Sequence, residues 1–246
     1  METILRVENL VKNGIINGVS FKVSKGEMVA VMGPSGSGKS TLLINISGMD
    51  NPDSGRVIIN GMEITALSED DKAAFRLREM GFVFQQMNMM ENLSIIDNIM
   101  LPAVEANRGR KGKTKTEIRN EAKELMMKLS IDGLGERRIS EVSGGQLQRA
   151  CICRSLMNSP KIVFADEPTG ALNKAASNEV METLVSLNED GTTILMVTHD
   201  SRMASRCGRI LYLEDGQIKG EFNMEKELNA RQREEAVNEW LTGMEW

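Results

Sequence analysis

The sequence predicts an α/β fold whose central sheet carries parallel strands covered by helices on both faces. Three observations predict it. The runs Met28–Met32, Ile162–Ala165 and Thr193–Val197 are apolar nearly throughout, the composition of a strand buried on both sides. Each run stops at chemically loaded residues: Gly33 after the first, Asp166 and Glu167 after the second, Thr198 and His199 after the third. Between them, residues from about 87 to 160 read mainly as helix, as an inserted lobe would. Ligands of open α/β sheets sit at the carboxyl ends of the strands, so three such endings mark one site.

The bulk composition sets bounds. The 246 residues, 41% apolar and 26% charged, suffice for a full core plus a lobe. A formal net charge of -5 argues against nucleic acid as the main partner, because no basic excess would neutralise phosphates. No apolar run is long enough to span a bilayer, and "METILRVENL" lacks the basic-then-apolar layout of a signal peptide. The expectation is a cytoplasmic protein, or one held at a membrane through a partner and not inserted in it. The three cysteines, Cys151, Cys153 and Cys207, make an odd count in a long chain and read as small buried hydrophobes.

The elements follow in order. "ILRVENL", "SFKV" and "MVAVM" are strand-like, and "GFVF" ends the first strand-rich part at Gln85. Within the helical stretch, Ile118, Ala122, Leu125, Met126 and Leu129 fall at helical spacing. "NRGRKGKTK", residues 107 to 115, has no periodicity and reads as a solvated loop, with a membrane-facing patch as the alternative. Strands return in "KIVFADE", "TTILMVTHD", "RILYLEDG" and "QIKGEF". From residue 223 a charged tail places Val237, Trp240, Leu241 and Met244 on one helical face, expected to dock on its own domain rather than on a partner.

The chemistry begins at Gly33, Pro34, Ser35, Gly36, Ser37, Gly38, Lys39, Ser40 and Thr41, which fit G-x-x-x-x-G-K-[ST] between a strand and an apolar helix. Gly36 and Gly38 let successive backbone N–H groups converge on phosphate oxygens, and the following helix adds its positive end. Lys39 reaches the outer phosphates, and the Ser40 hydroxyl suits Mg²⁺. Asp166 supplies a carboxylate for the same hydrated ion. Glu167 projects towards the terminal phosphate, where it orients or deprotonates an attacking water. His199, the only histidine in the chain, stands at a strand end between Thr198 and Asp200 and reads as a γ-phosphate contact. The Gln85 amide is suited to ligate Mg²⁺ and touch the water.

A second cradle lies at Ser143, Gly144, Gly145 and Gln146. The S-x-x-Q spacing is a capping box, so a helix should start at Gly144 and stop near Ser159, before Pro160. The two glycines strip side chains from its positive end, where an anion can come close. The chain's own nucleotide is already held by Gly33–Thr41, so the economical reading is that this tip serves ATP held by another subunit. Head-to-tail opposition of two copies would then close two ATP molecules between them.

In this order, Gly33–Thr41, Gln85, Ser143–Gln146, Asp166–Glu167 and His199 resemble the nucleotide-binding subunits of ATP-binding-cassette transporters, over roughly residues 3 to 222. "MGPSGSGKSTLL", "GFVFQQ" and "DEPTGAL" look most like the subgroup serving lipoprotein release, macrolide efflux and bacitracin-type peptide resistance. The resemblance implies a P-loop NTPase core with a mixed central sheet, an N-terminal antiparallel β part and an inserted helical subdomain, followed by a C-terminal tail over 223–246. It implies ATP and Mg²⁺ as cofactors, a homodimer, and a separate permease with a large extracytoplasmic part. A short cytoplasmic helix of that permease would enter a groove near Gln85. There Met87, Met89 and Met90 offer an adaptable apolar surface, though core packing explains them equally well.

The chain departs from the family pattern at three places. Val142 stands where leucine is usual. Asn173 replaces an aspartate, keeping hydrogen bonding but dropping charge. No aromatic precedes Phe21, so base contacts are expected to be aliphatic and nucleotide selectivity looser. The rival readings are a soluble ATP-driven switch, whose known forms carry two cassettes or long coiled-coil insertions, and an ATP-driven regulator of a cell-envelope hydrolase acting through a permease-like partner.

Overall fold

The three apolar runs lie in one sheet, and their ends meet along one rim. In the computed structural model, which describes residues 2–109 and 112–244, they form β3 (Met28–Met32), β7 (Ile162–Asp166) and β8 (Ile194–Val197). With β6 (Met80–Phe84), β9 (Arg209–Glu214) and β10 (Gln217–Asn223) they make a six-stranded sheet in the order β10-β9-β3-β8-β7-β6. All neighbours are parallel except β9 and β10. A second, antiparallel sheet in the order β2-β1-β4-β5 is built from β1 (Thr3–Lys12), β2 (Ile16–Ser24), β4 (Ser54–Ile59) and β5 (Met62–Glu63).

Eight α-helices complete the described chain: α1 (Lys39–Ile46), α2 (Glu69–Glu79), α3 (Ile95–Ala106), α4 (Lys115–Lys128), α5 (Gly144–Leu156), α6 (Lys174–Glu189), α7 (Ser201–Ala204) and α8 (Ala230–Gly243). The α5 start matches the sequence expectation, but the helix ends at Leu156, three residues short. The segment before Pro160 is irregular because proline disfavours helix in the residue preceding it; Ser159 takes φ 50°.

Alternation along the buried strands divides the core in two. Val29, Val31, Phe164, Leu195 and Val197 pack with α1 and the antiparallel sheet. Ala30, Met32, Ala165, Met196 and Tyr212 pack with the helical lobe, α6, α7 and α8. The α8 helix docks on its own domain through buried Val237 and Leu241, with Trp240 and Met244 partly buried beside them.

Register then positions the site. Phe84 pairs with Asp166, Asp166 with Val197, Val197 with Val31, and Met32 with Tyr212. The residues that follow, Gln85, Glu167, Thr198 and Gly33, therefore leave the sheet at one level, where parallel α/β sheets hold ligands.

Candidate active site

The phosphate loop is shaped by close approach. A Cβ on Gly33 would lie 1.9 Å from the Leu213 carbonyl oxygen, so nothing larger fits where β3 passes β9. Gly38 caps α1 at φ 98°, a left-handed conformation that glycine takes without strain. The Lys39 ammonium donates to the carbonyls of Gly33 (2.7 Å) and Pro34 (2.8 Å), lying along its own loop. Partial burial lowers its pKa, against the pull of Glu167 and Asp166.

Across the loop, the Ser40 hydroxyl donates to Asp166 Oδ1 at 3.2 Å. Burial raises the Asp166 pKa; the Ser40 bond and Lys39 oppose this, and neighbouring Glu167 adds to it. A hydroxyl beside a half-buried carboxylate is a hard-oxygen donor set, and it fits Mg²⁺, which takes one or two protein oxygens and keeps its waters and phosphates for the rest. No cluster of three or more His, Cys, Asp or Glu residues suited to a metal occurs among the described residues, and such a nucleotide-borne ion needs none.

Glu167 holds φ 46°, unusual for a residue with a side chain, and its N–H donates to Val197 at 3.0 Å. That conformation turns its carboxylate towards His199, whose Nδ1 lies 2.8 Å from Glu167 Oε1. Glu167 is largely buried while the imidazole is 67% exposed, so the histidine faces open space. Gly33, Pro34, Ser35, Lys39, Glu167, His199 and Tyr212 line one cavity of about 560 Å³. Tyr212 is the residue that sequence reasoning missed. Its signal was its place near the end of an apolar strand-like run, "RILYLEDG", that had been given no chemistry.

Gln85 is placed differently. A Cβ on Gly170 would lie 2.8 Å from the Gln85 Nε2, so its amide rests against the turn after Glu167. The segment behind it is tied to α5: Gln148 donates to the Phe84 carbonyl (3.2 Å), and Arg154 to those of Met87 (2.8 Å) and Asn88 (2.7 Å).

The tip of that helix has both halves of the capping box. Ser143 Oγ accepts from the Gln146 N–H (3.3 Å), and Gln146 Oε1 accepts from the Ser143 N–H (2.9 Å). The glycines have a packing role as well: a Cβ on Gly145 would meet Ala176 at 3.0 Å, and one on Gly144 would meet Leu172 at 3.1 Å. Asn173 caps α6 by accepting from the Ala176 N–H at 3.0 Å. The cysteines are free and buried, and burial pushes the Cys153 and Cys207 thiols up to about 12.

Comparison with known proteins identifies the family. The family model described as "ABC transporter" matches residues 16–170. The lipoprotein-releasing system ATP-binding protein LolD of Aquifex aeolicus is 39% identical over 226 residues, covering 90% of this chain and 99% of that protein. The macrolide export ATP-binding/permease protein MacB of Campylobacter jejuni is 41% identical over 219 residues, 89% of this chain, which spans 33% of MacB. The dimeric ATP-binding cassette MJ0796, solved in a post-hydrolysis state with ADP and Pi, superposes with a TM-score of 0.81 at 35% identity, covering 90% of this chain and 99% of that one. A nucleotide loop, a carboxylate–histidine pair at neighbouring strand ends and a capped glycine helix tip thus occur in a chain that belongs to the ABC transporter family, as an ATP-binding domain.

Proposed function

We propose that the chain is the ATP-hydrolysing subunit of a membrane exporter of peptide, lipoprotein or drug-like substrates, working as a homodimer with a separate permease at the cytoplasmic face of the membrane. The observation that carries hydrolysis is the Glu167–His199 pair, 2.8 Å apart at the mouth of the phosphate-loop cavity. In this reading the loop amides of Gly36–Thr41 and the Lys39 ammonium hold the β- and γ-phosphates. Glu167 takes a proton from a water as its oxygen bonds to the γ-phosphorus; the bond to the bridging oxygen breaks, leaving ADP and phosphate. His199 holds the γ-phosphate and the water in line. Ser40, Asp166 and Gln85 would hold Mg²⁺, which when bound would supply charge neutralisation to the phosphate oxygens. In this reading the nucleobase rests on an aliphatic side chain, for which Ile15, 44% exposed on the β1–β2 turn beside Gly38, is placed.

The Ser143–Gln146 tip completes the site of the opposed copy, as the dimeric MJ0796 cassette supports. The fused permease of MacB supports a membrane partner for this chain, in which no described helix is long and apolar enough to cross a bilayer. The docking groove for that partner is an apolar cavity of about 370 Å³ lined by Met49, Ala73, Leu77, Met80, Phe82 and Phe84. Of the methionines singled out from the sequence, Met89 packs against the core and Met90 is 50% exposed.

The test is Glu167→Gln, which keeps shape and removes the base. With ATP and Mg²⁺ it should elute as a stable dimer and turn over at a small fraction of the wild-type rate. Full turnover in that variant, or a monomer throughout, would overturn the reading.

A further inference from the structure

The C-terminal helix touches the site from behind. Trp240 on α8 meets Tyr212 edge to face, with ring centroids 6.2 Å apart and planes at 83°, and Tyr212 lines the phosphate cavity together with His199. The Trp240 position is specified from several sides. Phe222 lies tilted against it, with ring centroids 5.3 Å apart and planes at 38°, and Gly220 leaves room for it, since a Cβ there would lie 3.1 Å from the indole and 2.9 Å from Met244.

The same helix grips the segment that follows His199. Asp200 caps α7 by accepting from the Arg202 N–H at 2.9 Å. Met203, Ala204 and Cys207 pack in one cluster with Val237 and Leu241 of α8. Arg233 on α8 donates to the Cys207 carbonyl at 3.1 Å. His199 itself is mostly exposed, and its one recorded side-chain partner among the described residues is Glu167. Its placement therefore depends on the backbone behind it, and α8 covers that backbone.

We infer that α8 is a positioning element for His199, with Trp240 as its principal positioning residue, acting through Tyr212 and α7 on the reaction proposed above. The kinetic part of this inference rests on that proposal. The structural part does not.

The chain contains a single histidine, so the imidazole Cε1–H resonance of this untagged chain belongs to His199 without further assignment. Trp240→Leu keeps an apolar side chain but removes the ring edge that Tyr212 meets; Trp240→Phe keeps a ring. Relative to wild type, Trp240→Leu should shift and broaden the imidazole signal, and should lower kcat about tenfold while KM for ATP stays within about twofold, because misplacement harms the chemical step more than binding. Trp240→Phe should restore most of both, and Glu239→Gln, one residue away on the exposed face, should change neither. An unchanged imidazole signal in folded Trp240→Leu overturns the inference whatever the rate does. If the wild type hydrolyses no ATP, the proposed function fails while the imidazole comparison still decides the role of α8. Loss of fold in Trp240→Leu leaves the milder Trp240→Met to decide by the same reading: a shifted, broadened imidazole signal supports positioning by the ring, and a wild-type signal in the folded variant overturns it.

Discussion

Asp166 shows how the site is built against its own resting stability. Burial raises its pKa above the ordinary carboxylate value. A carboxyl whose folded pKa is raised stabilises the fold most below its unfolded pKa and loses that contribution as pH climbs through the folded value. At neutral pH the ionised Asp166 therefore weakens the nucleotide-free protein. Asp166→Asn, which still accepts from Ser40, should raise the Tm of the nucleotide-free chain at pH 7, and the gap should close as pH falls through the carboxylate range; thermal melts across that range check it. The same variant should bind Mg²⁺-nucleotide less tightly. Ile15 supports a second expectation at this scale. An aromatic face stacks on a base for about 1–3 kcal/mol, and Ile15 offers only an aliphatic one. Ile15→Tyr should therefore tighten nucleotide binding by about fivefold or more, with similar gains for ATP and GTP because stacking is tolerant of the base. Titration calorimetry with both nucleotides reads the result, and a gain confined to one of them would point to a hydrogen-bonded base site instead.

At the scale of elements, the α5 tip has a cap role and a proposed ligand role that can be separated. Removing an N-cap hydroxyl costs about 1 kcal/mol, so Ser143→Ala should lower stability by about that amount in urea unfolding. If the tip serves a nucleotide, the same change should reduce ATPase activity far more than the lost stability accounts for. Equal, small losses in both would leave Ser143 as a cap alone. This element was legible in the sequence because its signal is local: a serine, a glutamine three residues on, then an apolar helix. The strands were legible for a similar reason, since β3, β7 and β8 are short runs buried on both faces. What the sequence did not reveal depends on register and long-range packing. That Tyr212 reaches the cavity follows from its pairing with Met32 across a parallel ladder. That Arg154 and Gln148 hold the Gln85 segment follows from α5 crossing the end of β6. Neither arrangement leaves a periodic trace in the chain.

At the scale of the whole molecule, the proposal divides one reaction centre between two copies, and that division has an arithmetic consequence. In a closed two-fold dimer each nucleotide meets the Lys39 loop of one copy and the Ser143 tip of the other. Lys39→Ala should silence the loop, and Ser143→Arg should block the tip with a bulky side chain, so each variant alone should form no working site. A mixed dimer differs. The loop of the Ser143→Arg copy meets the intact tip of the Lys39→Ala copy, which gives one complete site, while the other site carries both lesions. Random pairing of equal amounts makes half the dimers mixed, so activity should recover to about a quarter of wild type if the sites act independently. Partial coupling between sites would pull recovery below that figure but still above the sum of the two parents. The measurement is steady-state ATPase activity against mixing ratio at fixed total protein, which should peak at equal amounts. A flat line at parental levels would mean that no site is shared. A Ser143→Arg chain fully active alone would place the whole reaction on one copy, and the capped glycine tip would then be only the start of a helix.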